Sequence, residues 1–131
     1  MKEDKKGSGD PEGYRKSVAY GVGVALTYQG RRKVKGGPEH LAVFSGQKVT
    51  WRFLNTSDKP ATFVLTVKKG EPYPHPFVEE QPWTATAGGG LGTAALTLTI
   101  KGFSRPARYQ YEIKIEGEPD SLLDPELDIW P

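Results

Sequence analysis

Between Gly46 and Val67 two runs of alternating apolar and polar residues flank a turn, and the rest of the chain must pack around them. Val49, Trp51 and Phe53 alternate with Thr50, Arg52 and Leu54, and Phe63, Leu65 and Val67 alternate with Thr62, Val64 and Thr66. A period of two is the side-chain period of a β-strand. Between the runs, Asn55-Thr56-Ser57-Asp58-Lys59-Pro60 is a cluster of turn formers. The segment predicts two strands whose shared apolar face needs a second layer to cover it.

The same pattern extends in both directions. In residues 17–29, Val18, Tyr20, Val22, Val24, Leu26 and Tyr28 fall on one side and Gly21, Gly23 and Ala25 on the other, which predicts a long first strand with a small-residue face. Glycine weakens a strand, so that face suggests close approach by another layer or by neighbouring backbone. Gly30-Arg31-Arg32-Lys33 reads as a turn, residues 41–44 as a short strand, and Ser45-Gly46 as a tight turn. Residues 71–92, with Pro72, Pro74, Pro76, Pro82 and Gly88-Gly89-Gly90, show no period and read as one long loop, functional or disordered. Alternation resumes with Ala94, Leu96, Leu98 and Ile100 and again with Tyr109, Tyr111, Ile113 and Ile115. Pro125 confines the closing strand, residues 122–130, to a sheet edge or interrupts it. No helix longer than a turn and no repeat is legible.

These elements predict an all-β chain: a Greek-key β-sandwich of about seven or eight strands over residues 17–131, with an immunoglobulin-like sandwich as the alternative. Trp51, Phe53, Phe63, Leu65, Leu98, Tyr109, Tyr111 and Ile113 are the expected core. Residues 1–16 carry charge, Gly and Pro with almost nothing apolar, and are expected to form a mobile tail.

Composition narrows the chemistry. The 131 residues suit one domain, and the absence of cysteine removes thiolate ligands, thiol nucleophiles and disulfides together. The net charge is only +2, but residues 31–35 are basic while Glu118, Asp120, Asp124, Glu126 and Asp128 gather near the C-terminus. Solvated faces on opposite parts of the surface are the plain expectation. No apolar run approaches the ~20 residues of a membrane span. The charged start reads as having no signal peptide. The expected location is the cell envelope or outside the cell if an export signal was removed, and otherwise the cytoplasm.

Particular residues suggest a family. Gly46-Gln47-Lys48-Val49-Thr50-Trp51, followed by Asn55, Asp58 and Pro60, resembles the cupredoxin pattern in which a Gly-Asp-x-Val-x-Trp strand leads through an Asn-containing turn to the first histidine ligand. Arg108-Tyr109-Gln110-Tyr111 resembles the Gly-x-Tyr-x-Tyr strand before the copper cysteine, and the terminal Leu-Asp-Pro-Glu-Leu-Asp-Ile-Trp-Pro is similar to the closing strand of cupredoxin-like domains lacking copper. The resemblance covers residues 17–131. Where it places the first histidine the chain has Ala61, where it places the cysteine the chain has Ile113, and no histidine follows. It implies a cupredoxin-like domain without the copper ligands, because a blue-copper centre needs two imidazoles and a thiolate. Neither a cofactor nor electron transfer by the family mechanism is expected.

Other chemistry is sparse. His40 and His75 are the only imidazoles, and neither forms an HxH or HExxH spacing with Glu39, Glu71, Glu79 or Glu80, so no metal site is expected. Gly88-Gly89-Gly90-Leu91-Gly92 lacks the strand, Lys-Ser/Thr and helix of a phosphate loop and reads as a flexible linker. Arg31, Arg32, Lys33 and Lys35 with Tyr28 would serve nucleic acid, but a cationic hairpin tip that keeps a sheet edge soluble is the plainer reading, and no nucleic-acid partner is expected. No nucleophile is paired with a base, so the expectation is a non-enzymatic module. The specific feature is the 71–92 loop, where Tyr73, Phe77 and Trp83 lie beside His75, Glu79 and Glu80. It is expected to engage a protein partner as part of an accessory domain or subunit; the alternative is a small-ligand or carbohydrate module stacking sugars on these rings. The same rings would equally serve as a lid over one end of the sandwich.

Overall fold

The computed structural model describes residues 17–26, 31–37 and 39–131. The predicted tail and Tyr28 lie outside the described residues. Ten strands are present among them: β1 (Ser17–Leu26), β2 (Arg32–Lys35), β3 (His40–Phe44), β4 (Lys48–Asn55), β5 (Ala61–Lys69), β6 (Trp83–Ala87), β7 (Gly92–Thr99), β8 (Ala107–Ile115), β9 (Glu118–Leu123) and β10 (Glu126–Trp130). They form a four-stranded sheet in the order β2-β1-β4-β7 and a six-stranded sheet in the order β3-β10-β8-β5-β6, with β9 on β8. Two pairings are parallel, β1 with β4 and β10 with β3, and the rest are antiparallel. The expected all-β sandwich is what forms.

Two elements differ from the expectation, and a third takes one of its two alternatives. The turn expected at residues 30–33 gives way at Arg32, which opens β2 on the inward-facing row that also carries buried Val34. The long loop contains β6, paired with β5 from Leu65↔Trp83 to Ala61↔Ala87. The last stretch divides at Asp124-Pro125 into β9 and β10, which both pair with β8, at its two ends.

The alternation decides the core. Along β4 every second residue is buried, and the eight expected core side chains are all at most 3% exposed. Phe53 of one sheet stacks on Phe63 of the other with centroids 4.3 Å apart. Trp51 meets Tyr111 edge-on at 5.8 Å and donates its indole N–H to the Tyr111 hydroxyl at 3.4 Å. Burying both rings therefore leaves the indole nitrogen with a partner.

Residues 88–91 are a locked turn where a linker was expected. The Gly90 N–H donates to the Ser57 carbonyl at 2.7 Å and the Leu91 N–H to the Asn55 carbonyl at 2.8 Å. Gly90 takes a φ of +69°, and a Cβ on Gly89 would lie 2.5 Å from the Asp58 backbone, so both positions need glycine.

Candidate functional site

Residues 71–83 close one end of the sandwich. The Tyr109 hydroxyl, rising from β8, donates to the Tyr73 carbonyl at 3.0 Å and accepts the Tyr73 N–H at 3.1 Å. The Tyr73 hydroxyl donates to the Gly102 carbonyl at 3.0 Å. Val78 N–H donates to Thr99 O at 2.8 Å and Lys101 N–H to Pro76 O at 2.7 Å. An irregular segment buries its polar backbone only with partners of this kind.

Each residue singled out from the sequence has a definite place. Phe77 is completely buried, bridges Ile100, and meets Trp51 edge-on at 6.0 Å and Trp83 at 5.1 Å. Trp83 is buried too, donating its indole N–H to the Glu79 carbonyl at 3.1 Å. His75 is half-buried, 4.8 Å from the Trp83 ring, and its Nδ1 accepts the Phe77 N–H at 3.2 Å. Glu79 accepts the Thr99 N–H at 2.7 Å and the Thr99 hydroxyl at 2.8 Å. Tyr73 is half-buried beneath the Lys101 ammonium, 4.8 Å from the ring centre. Glu80 and Val78 face solvent. Two of the three rings of the imagined stacking platform are thus in the core.

This end responds to pH in one direction. Burial, aided by the Lys101 charge and opposed by Glu80, pulls the His75 imidazole below its ordinary value of 6.5. Burial pushes the Glu79 carboxyl up, but the Thr99 N–H and hydroxyl, with Lys48, outweigh it and hold the group below 4.5. As pH falls, the unfolded chain therefore takes each proton before the folded one. Each contribution is fully present above the group's unfolded value and is lost as pH falls from there through its folded value. We expect denaturant melts to show stability declining as pH falls below the ordinary imidazole value of 6.5 and again below the ordinary carboxyl value of 4.5, with His75→Gln flattening the upper decline and Glu79→Gln the lower. A His75→Gln profile that matches the parent would remove the imidazole from the account.

The opposite end is sealed by an ionic network that sequence reading missed. The Arg32 guanidinium reaches Glu118 through Nε, at 3.1 and 3.0 Å from the two carboxylate oxygens, and through Nη2. Its Nη1 donates to Ser57 Oγ at 3.0 Å, Lys59 O at 3.1 Å and Pro60 O at 3.0 Å. Glu118 fixes the charge and raises the Arg32 pKa. Asn55, fully buried, donates to Lys59 O at 2.6 Å and Ala87 O at 3.2 Å and accepts the Ser57 N–H at 3.0 Å. Ser121 donates to Glu118 O at 2.6 Å and accepts the Ile115 N–H at 2.8 Å. The basic and acidic stretches expected on opposite surfaces meet here, with Arg31 3.5 Å from Asp120. The only sequence signal was their opposite charge. His40 stands at the edge of the larger sheet, 3.1 Å from Glu126.

Among the described residues no group of three or more His, Asp or Glu side chains converges as a metal site requires, and no helix is long and apolar enough to cross a membrane. No protein-family model and no curated protein matches the chain. It is similar to the 2F4 variant of the McoA multicopper oxidase from the hyperthermophile Aquifex aeolicus, with a TM-score of 0.54 and 7% identity over 88% of this chain, which spans 30% of that one. It is also similar to dithionite-reduced auracyanin from the photosynthetic bacterium Roseiflexus castenholzii, with a TM-score of 0.51 and 16% identity, covering 88% of this chain and 97% of that one. At such identities the likeness bears on architecture alone, and the architecture is cupredoxin-like.

Proposed function

We propose that this chain is a non-enzymatic, cupredoxin-like binding or structural module, an accessory domain or subunit that engages a protein partner through residues 71–92 and holds no copper. The observation that carries the reading is the rigid anchoring of the segment, which fixes exposed groups without a binding cost. Val78 is 56% exposed, yet its own N–H is tied to Thr99 and the next residue, Glu79, to the Thr99 N–H and hydroxyl. Glu80, Gln81 and Pro82 continue this exposed edge. A surface already ordered loses little freedom when a partner docks.

The copper site of the family that the chain resembles does not fit the residues present. Ala61 and Ile113 are buried hydrocarbons, cysteine is absent, and the Arg32 guanidinium lies against Pro60, one residue before Ala61. Arg32 occupies that end together with its counter-ion Glu118, and among the described residues no thiolate or imidazole is available there to bind copper.

Immobilised protein is expected to capture a partner from extracts of its native source, and the Val78→Asp/Glu80→Lys double variant to lose it with an unchanged thermal transition. Calorimetry with Cu(II) should give weak heats that disappear in His40→Ala or His75→Ala. Capture that survives the double variant would take the segment out of the interface, and a stoichiometric, submicromolar copper site surviving both histidine substitutions would end the reading.

A further inference from the structure

A second surface, on the outer face of the four-stranded sheet, carries two strand glycines that no described residue covers. Register places Gly21 beside Arg52 and Gly23 beside both Leu54 and Lys35. Arg52 in turn lies opposite Ala95, and Leu54 opposite Thr93. The glycines leave an open groove of about 760 Å³ between Arg52, Leu54, Thr93 and Ala95. That volume lies within the range of binding pockets and is more than one apolar side chain needs.

The fold does not require either glycine. A Cβ on Gly21 would meet nothing within 4 Å, and one on Gly23 would make ordinary contacts at 3.8 and 3.9 Å. Neither takes a positive φ. Glycine inside a strand costs stability unless something approaches closely, and no part of the described structure enters the groove.

Charge defines what does. The strands β1, β2, β4 and β7 contain no Asp or Glu. Among the described residues Lys33, Lys35 and Arg52 have no carboxylate at ion-pair distance, whereas Arg31, Arg32, Lys68 and Arg108 each have one. Thr50, Arg52 and Leu54 of β4 and Thr93, Ala95 and Thr97 of β7 share this face without an aromatic ring among them. That disfavours sugars and single-stranded nucleic acid, which bind by stacking. A second copy of the same face would set two cationic faces without a strand carboxylate against each other, so self-pairing is disfavoured as well.

We infer that this face binds an acidic protein segment that lays one apolar side chain in the glycine groove and pairs its carboxylates with Lys33, Lys35 and Arg52. The face is separate from the 71–92 edge, and the inference stands whether or not that edge binds anything.

Filling the groove should separate binding from folding, because Gly21→Thr adds a β-branched residue where space is open and is expected to raise the melting temperature. Phage-displayed random dodecapeptides panned on the full-length protein should enrich acidic sequences with a Leu, Phe or Trp anchor. The enriched peptide should shift the amide resonances of Gly21, Gly23, Leu54 and Ala95, and lose about tenfold or more in affinity to Gly21→Thr and to Arg52→Glu. Enrichment of neutral or basic peptides, or affinity indifferent to Gly21→Thr, overturns the inference. So does heparin, or a vesicle of anionic lipid, that outcompetes the peptide and binds Gly21→Thr as well as the parent, for the face would then recognise charge without shape.

Discussion

Replacing Phe77 with alanine is expected to cost about 3–5 kcal/mol of unfolding free energy. The ring has no exposed surface and stands between Trp51 and Trp83, so its loss opens a cavity bounded by large rigid rings that collapse poorly. Its backbone cannot follow inward, because Pro76 O and Val78 N–H on either side are tied to Lys101 and Thr99. The effect should be partly shared with Trp51: a Trp51→Ala/Phe77→Ala double variant is expected to lose less than the two single changes added, since the second deletion enlarges a cavity that already exists. Denaturant melts of the three variants test this. A Phe77→Ala cost below about 1 kcal/mol would mean the ring contributes little packing and the segment is free to display it. Such a result would return Phe77 to the list of candidate contact residues.

The segment illustrates what a sequence leaves unsaid. In β4 and β8 every residue reports its own environment, because the pleat sends alternate side chains to opposite faces, and Trp51, Phe53, Tyr109, Tyr111 and Ile113 were legible for that reason. Residues 71–82 have no such period. Phe77 and Trp83 are drawn into the core by groups distant in sequence, chiefly Tyr109 and Thr99, and a prolyl-aromatic run reads the same whether its rings point in or out. Arg32 misled for the opposite reason. Charge next to charge suggested a solvated turn, but the residue lies on the inward-facing row of β2 beside Val34. Glu118, from a strand formed near the other end of the chain, together with the acceptors of the 57–60 turn, makes that tolerable. Asn55 was legible as a turn former, whereas its bond across to Ala87, which joins the turn to β6, was not. The odd-numbered glycines of β1 suggested close approach by another layer or by neighbouring backbone, but among the described residues nothing lies within 4 Å of a Cβ built at Gly21, and only the Lys35 and Leu54 carbonyls, at 3.8 and 3.9 Å, lie near one at Gly23.

Removing the Arg32 guanidinium is the second large effect expected, about 3 kcal/mol for Arg32→Met. The side chain is 12% exposed and its partner Glu118 34%, so the substitution leaves a half-buried carboxylate without its counter-ion, together with the Ser57 hydroxyl and the Lys59 and Pro60 carbonyls without their charged donor. Partial exposure places the figure at the low end of what breaking a buried pair costs, because water reaches part of Glu118. Arg32→Lys should recover less than half of the loss. A single ammonium has three donors on one atom and cannot span Glu118 on one side and the 57–60 turn on the other as the planar guanidinium does. Arg32→Met/Glu118→Met should recover most of it, since the desolvation of both charges disappears along with their attraction. Urea melts near neutral pH decide the matter. A single-variant cost under about 1 kcal/mol, or no recovery in the double variant, would show that the loops at this end are held by Asn55 and Ser121 alone. If the expected pattern is found, an arginine ties together the two loops that flank Ala61 and follow Ile113, and the end of the sandwich where the family resemblance places copper is closed by an internal salt bridge.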